Sequence, residues 1–237
     1  MPDTKHGRSP AKVAVLIPAL NEETSLPLVL ADIPADVVDD VIVTDNGSRD
    51  NTAAVAQTGG AHVVQEPCRG YGSACLAGIT ALPKDTSVVV FLDADYSDYP
   101  EEMKLLIDPI LEDRADLVIG SRMLDGRGRD VLFPQAYWGN KLAVFLIRWF
   151  WGFQYTDLGP FRAIRRASLD TLGMRDRNFG WTVEMQIRAI ERGLRIEERS
   201  VRYRRRVGAS KISGTLSGTI KAGWKILYTI FRLRFVG

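Results

Sequence analysis

The chain has 237 residues, 46% of them hydrophobic, and a formal net charge of +2, which predicts one domain with a sizeable core and an appendage. Its two cysteines, Cys68 and Cys75, are too few and too close for a disulfide framework, so we expect a reducing compartment. The first ten residues lack an apolar region, so we expect them to be a polar tail and not a signal peptide. No stretch of the sequence reaches eighteen apolar residues without a charge, so we predict no membrane span.

The small net charge conceals an asymmetry along the chain. From Arg195 to the end there are eleven Lys or Arg against two Asp or Glu, a net charge of +9, which leaves −7 for the residues before it. A basic tail on an acidic body indicates an anionic partner such as a membrane surface, a phosphate group or a nucleic acid. A solvated basic face is the alternative.

Strand and helix patterns alternate through the first half of the chain. Apolar β-branched runs predict strands, and the segments between them predict helices. This alternation predicts an α/β fold with a mostly parallel sheet that helices cover on both faces. In chain order the predicted elements are strand Val13–Ile17, helix Glu22–Ala31, strand Val41–Thr44, helix Asn51–Gln57, strand Ala61–Val64, helix Gly70–Leu82, strand Val88–Leu92, helix Glu101–Glu112 and strand Asp116–Gly120.

Beyond Ser121 the pattern changes to a charged loop followed by longer helices. The last helix interleaves long apolar residues with basic ones, which favours an interfacial membrane anchor, with burial against a partner subunit as the alternative. The predicted elements here are loop Asp125–Asp130, helix Tyr137–Trp151, strand Pro160–Ile164, helix Thr182–Arg192, strand Arg195–Arg204 and a helix from about Leu216 to Arg234.

Asp93 and Asp95 are the most informative residues, because they follow the buried strand Val88–Leu92 directly. Carboxylates two residues apart at a strand's carboxyl end can point together into the crevice where open α/β sheets bind ligands. Hard oxygen ligands suit Mg²⁺ or Mn²⁺ held jointly with a diphosphate. Helix capping is the simpler interpretation, but Ser97 or Asp98 with Pro100 already provides a helix start.

Polar and glycine-rich loops follow three other strands of the predicted sheet. Asn21 is a predicted helix cap beside Glu22 after the first strand. Asp45 leaves the second strand without an evident local role, so we expect it to bind base or ribose atoms. Gly70 and Tyr71 begin a helix where a ligand can come close to the backbone.

Eight runs, in this order and strand context, resemble the family 2 inverting glycosyltransferases, most closely their polyprenyl-phosphate (dolichol-phosphate-type) mannosyl- and glucosyltransferase branch. The resemblance covers almost all of residues 11–237 and implies the GT-A nucleotide-diphospho-sugar transferase fold. Together with the composition of the two ends, it leads us to expect a disordered tail over 1–10, a GT-A catalytic domain over 11–210, and a basic amphipathic helix over 211–237 that is a candidate for membrane association. The runs are LIPALNEE, VIVTDNGSRDNT, CRGYGSACLAGI, VVVFLDADYSDYPEE, LVIGSR, TDLGPFRAIR, FGWTVEMQIRA and RVGASKISGT.

The resemblance also implies roles for individual residues. Asp93 and Asp95 would hold the metal and the sugar nucleotide, and Arg122 would lie near the diphosphate. Arg206 and Lys211 would form a basic lid. The nucleoside pocket would be lined by Pro18, Asn21, Glu22 and Asp45, and the same loops add Leu20, Ser48, Gly70, Tyr71 and Ala94 to the predicted site.

Two features depart from the family pattern. Members with long tails carry transmembrane helices, which this chain lacks. The branch usually has DADLQ after its strand, whereas Tyr96 and Ser97 follow Asp95 here. The sequence therefore does not identify the residue that makes the contact assigned to that glutamine. It also does not identify the base and the sugar that are bound.

The predicted class of acceptor depends on the role of Glu184, which the resemblance places beside the acceptor. A hydroxyl acceptor needs a general base such as this carboxylate, whereas a lipid monophosphate is already ionised near neutral pH. A purely structural pair with Arg188 is the alternative for Glu184. Asp157 is a further candidate site residue, with turn capping as its alternative.

These observations together predict a metal-dependent glycosyltransferase that moves a hexose from a nucleotide-diphospho-sugar to a polyprenyl phosphate. We expect it to bind peripherally at the cytoplasmic face of the membrane and to have no nucleic-acid partner. A homo-oligomer is possible, but the sequence does not determine the oligomeric state. Transfer to a hydroxyl acceptor is the alternative within the enzyme class. A non-catalytic nucleotide-sugar or lipid-binding scaffold is the alternative outside it, although both acids of the pair are present.

Overall fold

Seven strands form one sheet in the computed structural model, which describes residues 11–126, 132–207 and 216–236. The strands lie in the order β3-β2-β1-β4-β6-β5-β7, and every neighbouring pair is parallel except the two that include β6. The predicted mostly parallel sheet is confirmed. The strands are β1 (Lys12–Ala19), β2 (Asp40–Asp45), β3 (His62–Gln65), β4 (Thr86–Phe91), β5 (Leu117–Ser121), β6 (Arg162–Arg165) and β7 (Ile196–Ser200).

Helices cover both faces of this sheet. Side chains alternate along each strand, so β1 sends Ala14 and Leu16 into one apolar layer and Val13, Val15 and Ile17 into the other. Two buried faces explain why the strands are almost continuously hydrophobic. The helices are α1 (Leu26–Asp32), α2 (Thr52–Thr58), α3 (Tyr71–Thr80), α4 (Met103–Leu111), α5 (Pro134–Trp151), α6 (Arg166–Leu172), α7 (Trp181–Glu191) and α8 (Leu216–Phe235).

Some predicted boundaries were wrong. The first helix begins at Leu26 and not at Glu22, because the backbone N–H of Ser25 already closes a turn on the Glu22 carbonyl. The last strand ends at Ser200 and not at Arg204, because the chain leaves the sheet there and pairs with the loop after β4. Helix α6 was not predicted.

The C-terminal helix α8 lies against α5 and α7. Ile230 and Leu233 enter the same apolar layer as α7, and Phe150 of α5 makes ring contacts with Phe231 and Phe235 at 5.7 and 5.8 Å. One face of the predicted amphipathic helix is therefore buried within this chain. Within the described ranges, the helices are all too short or too polar to cross a membrane.

Candidate active site

A cavity of about 320 Å³ opens at the carboxyl ends of β1 and β4. The strand order puts β2 and β4 on opposite sides of β1, and open α/β sheets bind ligands in the crevice where the winding reverses in this way. The structure brings nine of the predicted site residues together in its lining, and these are Pro18, Leu20, Glu22, Gly70, Tyr71, Asp93, Ala94, Asp95 and Arg206.

The acid pair after β4 lies in the wall of this cavity. The Tyr71 hydroxyl donates a hydrogen bond to Asp93 Oδ1 at 3.1 Å, and the Ser97 backbone N–H donates to Asp95 Oδ1 at 3.0 Å. Burial, and then the neighbouring charge of Asp95, raise the pKa of Asp93 to about 7. A carboxylate with a raised pKa and a like charge nearby favours a proton or a bound cation.

Arg206 supplies positive charge beside the pair. Its Nη1 lies 3.3 Å from Asp95 Oδ2, and its Nη2 donates to Glu22 Oε1 at 2.6 Å. The guanidinium therefore bridges the loop after β1 and the loop after β4. Both carboxylates are mostly buried, which strengthens these contacts relative to a surface ion pair.

The segment 201–207, which carries Arg206, runs along the loop after β4. The Val207 N–H donates to the Asp95 carbonyl at 3.0 Å, and the Arg204 N–H donates to the Ser97 carbonyl at 2.9 Å. Arg204 also stacks over the Tyr96 ring, with its Cζ 3.3 Å from the centroid. The basic residues predicted as part of a strand are thus used to fasten this segment to the acid loop.

Tyr96 stands where the family pattern has leucine, and its backbone has the uncommon φ of 60°. Its hydroxyl donates to Asp32 Oδ2 at 2.6 Å. Ser97, in the glutamine position, is buried and its hydroxyl turns back onto Asp95. Within the described structure Ser97 does not enter the cavity lining, so the contact expected of a glutamine has no direct substitute there.

The start of α3 closes the cavity against the 173–180 loop, which joins α6 to α7. A Cβ on Gly70 or Gly72 would lie 2.0 Å from the carbonyl oxygen of Arg177 or Asp176, so only glycine permits this approach. The loop then contributes Asn178 and Phe179 to the cavity lining.

Comparison with known proteins decides the family. The family model described as glycosyl transferase family 2 matches residues 14–173. The chain belongs to glycosyl transferase family 2. The predicted enzyme class and the predicted GT-A-like fold are confirmed.

Three similar proteins illustrate the relationship. This glycosyltransferase is 39% identical over 223 residues to an uncharacterized glycosyltransferase of Mycobacterium tuberculosis, covering 91% of this chain and 97% of that protein. It is 34% identical over 224 residues to the undecaprenyl-phosphate mannosyltransferase of Micrococcus luteus, covering 87% and 90%. The glucosyl-3-phosphoglycerate synthase of Mycobacterium tuberculosis, crystallised with Mn²⁺, UDP and phosphoglyceric acid, shares the fold at a TM-score of 0.75 and 23% identity, covering 95% and 78%.

Several residues predicted for the nucleoside pocket of this transferase shape its loops and are outside the cavity lining. Ser48 Oγ accepts the Asn21 N–H at 2.8 Å, and Asn21 Oδ1 accepts the Arg49 N–H at 2.7 Å. Asp45 Oδ1 accepts the Ser48 N–H at 2.9 Å. The expectation that Asp45 has no local role was therefore wrong, because it caps the turn that follows β2.

Arg122 is outside the cavity lining, and its side chain is engaged by Asp157. Its Nε and Nη2 donate to the two carboxylate oxygens of Asp157, each at 2.8 Å, and Asp157 Oδ2 also accepts the Arg122 N–H. Burial alone would raise the pKa of Asp157, but the Arg122 guanidinium outweighs it and holds this pKa below its ordinary value. The two residues form a buried structural pair behind the cavity.

Glu184 is also outside the cavity lining. Its Oε2 accepts the backbone N–H groups of Arg175 and Asp176 at 3.0 and 2.6 Å, and its Oε1 accepts Arg188 Nε at 2.9 Å. The structural pair with Arg188 that sequence reasoning held as the alternative is present. Its side chain is fully buried and its oxygens are engaged by these donors, so the predicted role as a general base stays a prediction.

Lys211, the other residue of the predicted basic lid, lies outside the described residues, as do residues 1–10. Asp98 is described and unusual, because both its carboxylate oxygens are buried without a hydrogen-bond partner in the described structure. Burial, and then the charges of Asp93 and Asp95, raise its pKa well above the ordinary value. The predicted cap at Asp98 is not formed, since Tyr99 precedes the short 3₁₀ turn Pro100–Glu102.

Sequence reasoning missed six residues of the lining. Asn46 and Arg69 adjoin predicted positions, and Asn46 Oδ1 accepts the Gly70 N–H at 2.7 Å, so the DNG turn was the available signal. Asn178 and Phe179 carried no local signal, because only the tertiary fold brings their loop to α3. The six are Ala19, Asn46, Arg69, Ala74, Asn178 and Phe179.

Proposed function

We propose that this family 2 transferase moves a hexose from a nucleotide-diphospho-sugar to a polyprenyl phosphate, with inversion at the anomeric carbon. The observation that carries the proposal is the acid pair Asp93 and Asp95 in the wall of a cavity at the sheet's switch point, with Arg206 beside it. This arrangement offers ligands for a cation and fixed positive charge for a diphosphate within one cavity.

The chemistry of the acid pair fits a divalent cation. Mg²⁺ is usually bound through one or two carboxylates and completed by substrate phosphates and water, so two acids are a sufficient protein contribution. Across the described residues no cluster of three His, Cys, Asp or Glu forms a metal site of its own, which agrees with a metal that arrives with its nucleotide. Asp93 and Asp95 would hold Mg²⁺ or Mn²⁺, and the metal would neutralise charge on the leaving diphosphate.

The chain's own groups would prepare the reaction. The Tyr71 hydroxyl orients Asp93, and the Ser97 N–H orients Asp95. The Arg206 side chain can exchange its contacts with the carboxylates for contacts with phosphate oxygens. Its planar guanidinium is suited to bidentate hydrogen bonds with a phosphate. In the step itself a phosphate oxygen of the acceptor forms a bond to the anomeric carbon as the bond to the nucleoside diphosphate breaks, so a single displacement inverts the configuration.

A phosphate acceptor agrees with the position of Glu184. A phosphate monoester is ionised near neutral pH and needs no general base, whereas a hydroxyl acceptor does. The carboxylate expected to serve as that base is buried under the 173–180 loop. The undecaprenyl-phosphate mannosyltransferase of Micrococcus luteus supports the same class of acceptor by its name and its 34% identity.

Peripheral association with the cytoplasmic face of a membrane is part of this proposal. Large aromatic side chains on α5 and α8 remain exposed although the two helices pack together, including Trp138, Trp149 and Trp224 at 65, 74 and 70% exposure. Exposed tryptophans among basic residues suit the headgroup region of a bilayer. A lipid-linked acceptor would then meet the enzyme at its own surface.

The test is turnover with a panel of nucleotide sugars and short polyprenyl phosphates in the presence of Mg²⁺ or Mn²⁺, followed by detection of released nucleoside diphosphate. We expect one donor to give transfer in the wild-type protein, and Asp95→Asn to lower kcat by about a thousandfold, the scale of losing a preorganised electrostatic group. Asp170→Asn, which alters an exposed ion pair on α6, is the matched control and should leave turnover unchanged.

Three results would contradict the proposal. Undiminished metal-dependent turnover in Asp95→Asn would remove the acid pair from the site. Transfer to glycerate-type hydroxyl acceptors with none to polyprenyl phosphates would replace the acceptor class while keeping the enzyme class. Binding of sugar nucleotides without turnover on any acceptor would support the scaffold alternative.

A further inference from the structure

One face of α8 meets the 173–180 loop through polar side chains. Lys225, Thr229 and Arg232 are spaced i, i+4 and i+7, which puts them on the same side of a helix. Lys225 Nζ lies 2.8 Å from Asp176 Oδ2, and Arg232 Nη2 lies 3.8 Å from Glu184 Oε1. The helix that carries the exposed aromatic residues therefore also contacts the two carboxylates that hold this loop.

Asp176 organises the loop from inside. Its Oδ1 accepts the N–H groups of Asn178 and Gly180 at 2.8 and 3.2 Å, so it sets the backbone on both sides of Phe179. Gly180 allows the helix to come this close, because a Cβ there would lie 2.3 Å from Thr229 Oγ1 and 2.6 Å from Asp176 Oδ2. Asn178 and Phe179, set in this way, line the cavity.

The Asp176 carboxylate is only 1% exposed, whereas its partner Lys225 is 29% exposed. A buried carboxylate without a compensating cation is strongly unfavourable, and it relaxes by moving toward water or by taking up a proton. Loss of the lysine charge should therefore displace Asp176, and with it the backbone that presents Asn178 and Phe179 to the cavity.

We infer that Lys225 is a positioning residue, which acts through Asp176 to fix the 173–180 loop and so couples the C-terminal helix to the shape of the nucleotide-sugar cavity. This inference rests on the proposed function for the identity of the ligand. The coupling itself depends on the contacts of Lys225, Asp176 and Gly180.

Hydrogen exchange tests the coupling without any ligand. In Lys225→Met we expect faster exchange of the amides in 173–180, with the amides of β1 and β4 unchanged. Asp176→Asn should speed exchange less than Lys225→Met, because its Oδ1 can still accept both N–H groups and no buried carboxylate is left without a cation. Lys225→Arg, which keeps the charge, should restore slow exchange. Lys104→Met removes an exposed lysine from a 2.7 Å ion pair on α4 and is the matched control, with no expected change.

Ligand binding and kinetics test the consequence for the site. The binding probe is Mn²⁺ with UDP or GDP. Lys225→Met should raise the Kd of the nucleotide about tenfold, equivalent to about 1.4 kcal/mol of binding free energy. With an active donor, KM should rise by a similar factor while kcat stays within about twofold, since the acid pair is untouched. Lys225→Arg should recover most of the affinity.

Unchanged exchange over 173–180 in folded Lys225→Met would overturn the inference, as would exchange in Asp176→Asn that is faster than in Lys225→Met. Faster exchange with unaltered nucleotide affinity would overturn it as well, because the loop would then not form a wall of the site. If the wild-type protein bound neither nucleotide, the proposed function would fail, and the exchange measurement would still decide whether Lys225 fixes the loop.

Discussion

Asp93, just after β4, is half-buried, whereas Asp157, in the loop before β6, is fully buried, and the two carboxylates are held in opposite ways. Asp93 has one hydroxyl donor in Tyr71 and a like charge beside it, and its pKa is raised to about 7. Asp157 accepts a two-pronged contact from the Arg122 side chain as well as the Arg122 N–H, and its pKa is lowered.

The difference separates a carboxylate that can bind a ligand from one that is part of the framework. A group whose lone pairs are already engaged by the protein gains little from a ligand, whereas a destabilised carboxylate gains from any cation. By this criterion we assign Asp93 to the proposed chemistry, and Asp157 and Glu184 to the framework. The predictions below test this division.

The largest effect on stability is expected at Asp157. Asp157→Asn leaves the Arg122 guanidinium, 13% exposed, without its counter-charge, and breaking a buried pair in this way costs about 3 kcal/mol or more. Denaturant unfolding should report this loss directly. Asp170→Asn, an exposed i, i+4 pair with Arg166, should change the free energy of unfolding by less than about 0.5 kcal/mol. Equal losses in both variants would contradict the division.

The sequence allowed the first half of the site to be predicted because its signals are local. Asp93 and Asp95 follow a strand directly, and parallel strands bring such loops to one edge. Arg122 and Glu184 were assigned to the site by resemblance, and their engagement depends on Asp157 and on the N–H groups of 175–176. Asp157 lies 35 residues after Arg122 in the sequence, and the N–H groups that Glu184 accepts belong to a non-helical loop. No local sequence pattern therefore revealed these contacts.

The fold shows the same contrast. Strands β1, β2 and β4 were predicted closely, because burial on both faces leaves a continuous apolar run. The end of β7 was not, because Arg202 and Arg204 leave the sheet to contact Glu102 and Tyr96, residues about a hundred positions away. Local sequence pattern was sufficient to predict the regular, apolar strands. The end of β7 instead depends on long-range contacts of its arginines, which no local pattern shows.

A smaller loss of stability is expected at Glu184. Glu184→Gln removes the charge that faces Arg188 but keeps an oxygen for the Arg175 and Asp176 amides, so we expect a loss of about 1–2 kcal/mol in unfolding free energy. Glu112→Gln, an exposed pair with Arg114, serves as the control. Residual turnover should keep the wild-type pH profile, and loss of its acidic limb in Glu184→Gln would restore this residue as a base, because a general base stops working when it is protonated at low pH.

Stability should also depend on pH through Asp93. Its pKa is raised from 3.8 to about 7 in the folded protein, so the folded state holds a proton that the unfolded chain releases, and stability is lost as pH rises from about 4 through 7. A cation that replaces the proton should matter more above pH 7. We expect Mn²⁺ with UDP to raise Tm more at pH 8 than at pH 6. Asp93→Asn should abolish the difference, and its persistence in that variant would separate metal binding from Asp93.

The smallest effect is expected at Asp98, and its sign is the opposite. Both oxygens of this side chain lack a partner in the described structure, and its raised pKa means that the folded state destabilises the charged form. Asp98→Asn keeps the shape and removes the charge, so it should raise Tm at pH 8 by about 2–4 °C, corresponding to about 1 kcal/mol for a chain of this size. The gain should shrink toward pH 4, where the unfolded carboxyl is also protonated. Thermal unfolding across this range is the measurement, and a Tm that falls equally at both pH values would indicate that Asp98 is charged and bound by a partner in solution.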